Sequence, residues 1–202
     1  ESASSDNDRL SWATETAEVG PTGDGNARPA GWAPAIALSP SEAVHVLHAR
    51  YDGDGTVLRH AERGSDGTWS WETVDDDGST EFHPALAIDA AGTIHAVYRN
   101  GTPAMLTYAS RVGGVWSKQV IAPSEVPAQG AALALDRSGN VHVAFEHPVT
   151  NRQWETAPGL RYARRDAAEG SWALETIDSF GTGVDLVVDD TGSVAVSYLQ
   201  SD

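Results

Sequence analysis

Apolar and polar positions alternate along this chain in short bursts, and no stretch sustains an apolar period of 3.6 residues. Gly and Pro interrupt the pattern throughout, so it predicts strands and turns and no long helix. One burst organises the rest: Pro84-Ala-Leu-Ala-Ile-Asp-Ala-Ala-Gly-Thr-Ile-His-Ala-Val-Tyr98. It returns at Ala131–Phe145, and more loosely at Pro34–His48 and Val184–Tyr198. Each copy reads as two apolar strands joined by a tight turn, usually with Asp at its start and Gly inside it.

Two further strands follow in most copies. Val57–Ala61, Met105–Ala109 and Leu160–Ala163 supply a third, of the form Leu-x-Tyr-Ala in the later copies. Trp69–Val74, Trp116–Val120 and Trp172–Ile177 supply a fourth that opens on Trp. The unit is therefore four-stranded and repeats about every 50 residues, which falls in the range of propeller blades. The Ala-rich first strand suits the crowded centre of a small ring. The expected fold is all-β: a four-bladed β-propeller of four-stranded antiparallel blades starting near residues 34, 84, 131 and 184.

The ends bear on closure. The fourth unit supplies only its first two strands, whereas Trp12-Ala-Thr-Glu-Thr-Ala17 is a fourth-strand sequence without a unit of its own. We therefore expect residues 9–19 to complete the last blade, in a single domain spanning 9–202. Such closure hides sheet edges. Nothing between Tyr198 and Trp12 resembles the third strand, so a fragment of a larger ring, or a ring of two chains, is the rival to a monomer. Residues 1–8 read as a flexible polar leader, or a tether left by a removed export segment.

Charge and composition narrow the partners. Thirteen Lys and Arg against 29 Asp and Glu give a formal charge of −16, which repels nucleic acid phosphates and anionic membranes. No apolar run approaches a membrane span, so membrane insertion is not expected. The absence of cysteine excludes disulfides, thiolate metal sites and a Cys nucleophile. We expect an extracellular, periplasmic or cell-surface location.

The units Leu-Ala-Leu-Asp-x-x-Gly-x-x-His-Val-Ala-Phe, Leu-x-Tyr-Ala and Trp-x-x-Glu-Thr resemble the repeat propellers of bacterial surfaces and secretions. Those are distant relatives of the sialidase-type, Asp-box propellers. The resemblance runs from Arg9 to Tyr198 and implies the fold, not an activity. The nearest Asp-box match, Ser65-Asp-Gly-Thr-Trp69, is compressed and occurs once, and no arginine cluster with a Tyr–Glu pair can be placed.

Candidate chemistry divides into repeated and unrepeated residues. His45, His95 and His142 share one repeat position, which reads as an internal hydrogen bond in preference to a metal ligand. Asp89, Asp136 and Asp189 precede turn glycines. They can cap the turns or, as weak candidates, bind Ca2+. Asp52-Gly-Asp-Gly-Thr56 fails the EF-hand spacing.

The repeated tryptophans read as packing residues. Trp154, beside Arg152 in an insertion found in one blade, reads either as a ligand-stacking group or as that loop's own small core. The loops of one face gather Asp52, Arg99, Asn100, Arg152 and Trp154, with Trp32, Phe82 and His83 from the entries to first strands. This face is the expected ligand site. The leading function is a lectin-like binding module for carbohydrate or protein. A polysaccharide-active hydrolase or lyase, and a scaffold, are the alternatives. No catalytic residue and no cofactor is nominated.

Overall fold

A computed structural model describes residues 13–17, 32–51, 55–77, 81–101, 105–122, 130–146, 159–179 and 181–200, with backbone alone at 32, 81–83 and 122. The regular structure among these residues is β-strand. Blade 1 comprises β1 (Trp32–Leu38), β2 (Val44–Tyr51), β3 (Thr56–Arg63) and β4 (Trp69–Asp75). Blade 2 comprises β5 (Glu81–Ile88), β6 (Ile94–Asn100), β7 (Met105–Val112) and β8 (Val115–Ala122). Blade 3 comprises β9 (Ala131–Leu135), β10 (Val141–Glu146), β11 (Leu160–Arg165) and β12 (Trp172–Asp178). Blade 4 holds β13 (Thr182–Val188) and β14 (Val194–Leu199). The first three are antiparallel meanders in strand order, and the fourth is a two-stranded hairpin.

The strands turn where the sequence demands it. Between first and second strands, Asp89 accepts backbone N–H groups from Ala91 and Thr93, and Asp136 accepts those of Ser138 and Asn140. The following Gly92, Gly139 and Gly192 lie at φ 80–84°, where a side chain is costly. Blade 1 departs from this rule. Ser39 takes the Asp position, its hydroxyl accepting the Ala43 N–H, and Glu42 occupies the left-handed position at φ 64°.

First strands pack in succession, β1 on β5, β5 on β9 and β9 on β13, so the sheets stand side by side and cover one another. Two apolar layers form the core. Leu47, Leu58 and Val74 of blade 1 meet Ala96, Tyr98 and Ala109 of blade 2. Val97, Leu106, Tyr108 and Ile121 of blade 2 meet Val141, Val143, Phe145 and Ala163 of blade 3. The second strands of blades 2 and 3 are thus covered on both faces, which explains why β6 and β10 are buried almost continuously instead of in alternation. Each fully buried Leu or Val in these layers contributes roughly 1.5–3 kcal/mol.

The outer faces of the arc differ. Ile36 and Leu38 of blade 1 are 70% and 65% exposed, whereas Leu186, which matches Ile36 in the repeat, is 5% exposed because blade 3 covers it. No packing comparable to that between neighbouring first strands joins β13 back to β1 among the described residues. Residues 13–17 join none of the described sheets, so the expected closing strand is not part of blade 4 there. Glu15 instead reaches blade 1, as described below.

Glu42 offers a direct stability test. Glu42→Gly should stabilise the protein by about 0.5–1 kcal/mol, since Gly carries no side-chain penalty in the left-handed region. Urea unfolding checks this, with Glu42→Ala as the control that should give no comparable gain.

Candidate functional site

Register builds one polar motif at every seam between blades. Near the end of the third strand an Arg stands opposite a Trp near the start of the fourth: Arg63 with Trp69, Arg111 with Trp116 and Arg165 with Trp172. These pairs project toward the preceding blade. Two residues along from Trp-x, the fourth strand of that preceding blade aims an acid or amide back at them. In the seam between blades 1 and 2, Glu72 takes the Trp116 Nε1–H at 3.1 Å and lies 2.7 Å from Arg111 Nε. At the leading face of blade 1, Glu15 does the same for the next pair. It accepts from Arg63 Nε at 2.6 Å, Arg63 Nη2 at 2.9 Å and Trp69 Nε1 at 3.2 Å. The Arg63 hydrogen bonds hold the Glu15 carboxyl below its ordinary range. Trp12-x-x-Glu15 thus places its acid where a preceding blade's fourth strand would place one.

The histidines complete the seams. In blades 2 and 3 the ring is tied to the turn and to the third strand. His95 Nε2 lies 3.4 Å from Asp89 Oδ2, and His95 Nδ1 lies 2.7 Å from the Tyr108 hydroxyl. His142 repeats this with Asp136 at 3.3 Å and Tyr162 at 2.6 Å. A carboxylate only accepts, so Nε2–H donates to Asp and the tyrosine hydroxyl donates to Nδ1. The Asp136 carboxyl is held at about 2: burial opposes ionisation, but the Asn140 side chain and backbone N–H, with His142, outweigh it. Thr93 and His95 overcome burial at Asp89 in the same direction.

Blade 1 reverses the chain of donors. Its turn has no Asp, and His60 replaces the tyrosine. His60 Nδ1 donates to Glu72 Oε1 at 3.0 Å, leaving the neutral ring's Nε2 to accept from His45 Nδ1 at 3.0 Å. The two rings stack with centroids 5.2 Å apart, and Trp116 packs edge-on against His60. Burial pushes both imidazoles below the usual range, against the pull of Glu62 on His45 and of Glu72 on His60. A polar cleft opens over this relay, lined by His60, Glu62, Ser70, Trp71, Glu72 and Arg111 and enclosing about 290 Å³ including space open to solvent. The alternation of β4 puts Ser70 and Glu72 on the cleft side. The Trp71 ring belongs to the opposite face, where the Arg59 guanidinium lies 4.0 Å from its centroid.

The sequence-based loop site fares differently. Asp52, Arg152 and Trp154 lie outside the described residues, as do the side chains of Trp32, Phe82 and His83. Arg99 is half-buried on β6. Asn100 is buried, and its amide donates to Asp75 at 2.7 Å and Asp77 at 2.6 Å. Asp75 also takes the Tyr98 hydroxyl and Lys118 Nζ, which ties blade 1 to blade 2 at the loop end. Asp189 caps its turn through Thr191 and Ser193 N–H groups. The seam arginines and the cleft acids are not among the sequence-based candidates. Their signal was present as Trp-x-x-Glu and as an Arg closing each third strand.

No family model matches the chain, and no curated protein does. Solved structures do. An α-L-arabinanase from Penicillium chrysogenum, complexed with arabinobiose, aligns with TM-score 0.57 at 13% identity over 82% of this chain and 58% of that one. A protein of unknown function from Dyadobacter fermentans gives 0.55 at 12% identity, over 82% of this chain and 56% of that one. The fold is a β-propeller, distantly sialidase-like. A mutant of NanB sialidase from Streptococcus pneumoniae aligns with TM-score 0.50 at 16% identity over 85% of this chain and 27% of that one. The chain thus spans little more than half the length of the first two structures.

The relay of blade 1 generates a pH test. His45 and His60 have folded values below their unfolded ones, so their contribution is complete above about pH 6.5 and is lost as pH falls below that. His60→Tyr restores the residue of blades 2 and 3. It should flatten the stability profile between about pH 6.5 and 5, without abolishing it, because His95 shifts the same way. Thermal unfolding across that range reads the slope.

Proposed function

We propose that this propeller is a carbohydrate-recognition module, secreted or carried on a cell surface, whose ligand contacts the cleft between blades 1 and 2. The observation that carries this reading is the composition of that cleft. Glu62, Glu72, Ser70, Arg111 and His60 converge here on one small opening. Carboxylates accept from sugar hydroxyls while Arg and Ser donate to them. The neighbours of known name, an arabinanase and a sialidase, add support at the level of fold. The Trp154–Arg152 loop and its companions on the loop face remain part of the proposal, as an outer contact for a longer glycan.

A hydrolase is the second reading, favoured by two carboxyl groups, Glu62 and Glu72, lining one cleft. In that case one would donate a proton and the other would activate water or the sugar itself.

Ring completion belongs to the same proposal. Ile36, Leu38 and Trp71 are exposed on the leading face, beside the Glu15 contact that marks a preceding fourth strand. Further strands, from residues 9–19 and beyond or from a second copy, cover that face. Native mass and a protease-protection map distinguish a single-chain ring from a shared one.

Glu62→Ala tests the cleft. Saturable binding on a glycan array, followed by calorimetry, should weaken at least tenfold in this variant with little change in melting temperature. Trp154→Ala should lower affinity only for longer oligosaccharides. Unchanged affinity in Glu62→Ala would sink the cleft assignment, and turnover lost in Glu72→Gln would promote the hydrolase.

A further inference from the structure

The seam between blades 2 and 3 repeats the cleft of the first seam with its acids removed. Register matches Tyr108 to His60, Ser110 to Glu62, Ser117 to Ser70 and Gln119 to Glu72, while Arg165 and Trp172 match Arg111 and Trp116. Both carboxylates are replaced by neutral groups, and the arginine is kept. The seam therefore loses two negative charges and keeps its cation, which is followed in the chain by Asp166.

Two of the three Arg–Trp pairs show what this pair of donors holds. Glu15 bridges Arg63 and Trp69, and Glu72 bridges Arg111 and Trp116, each through carboxylate oxygens. No carboxylate bridges the third pair among the described residues; Asp166, next to Arg165 in the chain, accepts from the Ala168 and Glu169 N–H groups of its own turn. Trp172 Nε1 is buried without a hydrogen-bond partner there, a costly state for an indole N–H. Arg165 Nε reaches Gln119 Oε1 only at 3.4 Å, and Gln119 Nε2 reaches the Gly170 carbonyl only at 3.5 Å. Both contacts are at the limit of hydrogen bonding, so the exposed Gln119 side chain is a displaceable cover. Arg165 also stands over the Tyr108 ring at 5.3 Å, which leaves a cation, an aromatic face and an indole N–H around one position.

We infer that this second seam binds the carboxylate of an acidic sugar, a uronic acid unit, with Arg165 and Trp172 Nε1 as donors and Tyr108, Ser110 and Ser117 beside the ring. The ligand's carboxylate takes the place that Glu72 fills in the first seam. This rests on the carbohydrate reading and adds a charge class and a second position to it. A glycan spanning both seams would present a neutral unit to the acidic cleft and an acidic unit to this one.

The probe is methyl β-D-glucuronide, followed through the Trp172 indole N–H resonance, which Trp172→Phe assigns. Methyl β-D-glucoside and acetate are the controls. Glucuronide should shift that resonance saturably, with the glucoside leaving it in place and acetate binding at least tenfold more weakly. Gln119→Glu builds the internal acid of the first seam. It should weaken glucuronide binding at least tenfold and raise the melting temperature. Gln119→Ala should retain binding, and Arg165→Gln should abolish it. If Arg165→Gln fails to fold, the two surface variants at Gln119 still decide. A resonance that does not respond, binding that survives Gln119→Glu, or equal affinity for acetate each overturns the inference. Glucuronide binding that persists in Glu62→Ala would uphold this site even if the neutral-sugar cleft fails. Neutral-glycan binding without any glucuronide response would do the reverse.

Discussion

In a blade covered on both faces an unpaired polar side chain is costly, because water does not reach the layer between two sheets. That constraint shapes each seam of this protein. Apolar side chains fill the inner part of the layer, where Leu47 and Leu58 face Ala96 and Tyr98. Toward the outer strands the arginine and tryptophan of one blade need an acceptor, and in the first seam the neighbouring blade supplies it. The Glu72 carboxylate, accepting from His60 and Trp116 beside Arg111, is at once an inter-blade bolt and the floor of the cleft. The atoms that join the two blades therefore also line the cleft.

The histidine networks show how one repeat position yields two electrical polarities. With Asp at the turn, hydrogen bonds run from Tyr through His toward the inner loop, as at Tyr108, His95 and Asp89. With Ser39 at the turn and His60 on the third strand, they run outward from His45 to Glu72. A change of two side chains redirects the network, and only the outward version ends at a cleft. Blade 1 also carries the strained Glu42 turn. Of its departures from the repeat, His60 lines the cleft.

Seams differ in charge more than in shape. The first is lined by two glutamates, and the second has lost both while keeping its arginine. In a protein of net charge −16, a retained cation without an acid at a repeated position is more informative than any single acidic cluster.

The sequence by itself determined the repeat, the all-β class, the strand order within each blade and the turn chemistry. These follow from period-two alternation and from Asp and Gly at fixed offsets, and local backbone preferences suffice to write them. It also assigned the histidines to internal hydrogen bonds, which is how His95 and His142 are used. What it left undecided depends on contacts between blades, where residues some 40 to 50 positions apart meet, as Glu72 and Trp116 do. Arg111 or Gln119 taken alone is an ordinary strand residue. Only the packing of sheets shows that one faces a carboxylate and the other stands where a carboxylate should be. Closure was beyond the pattern for the same reason: whether Ile36 and Leu38 meet another blade is set by how the arc curves. Alternation within a strand carries no information about that angle.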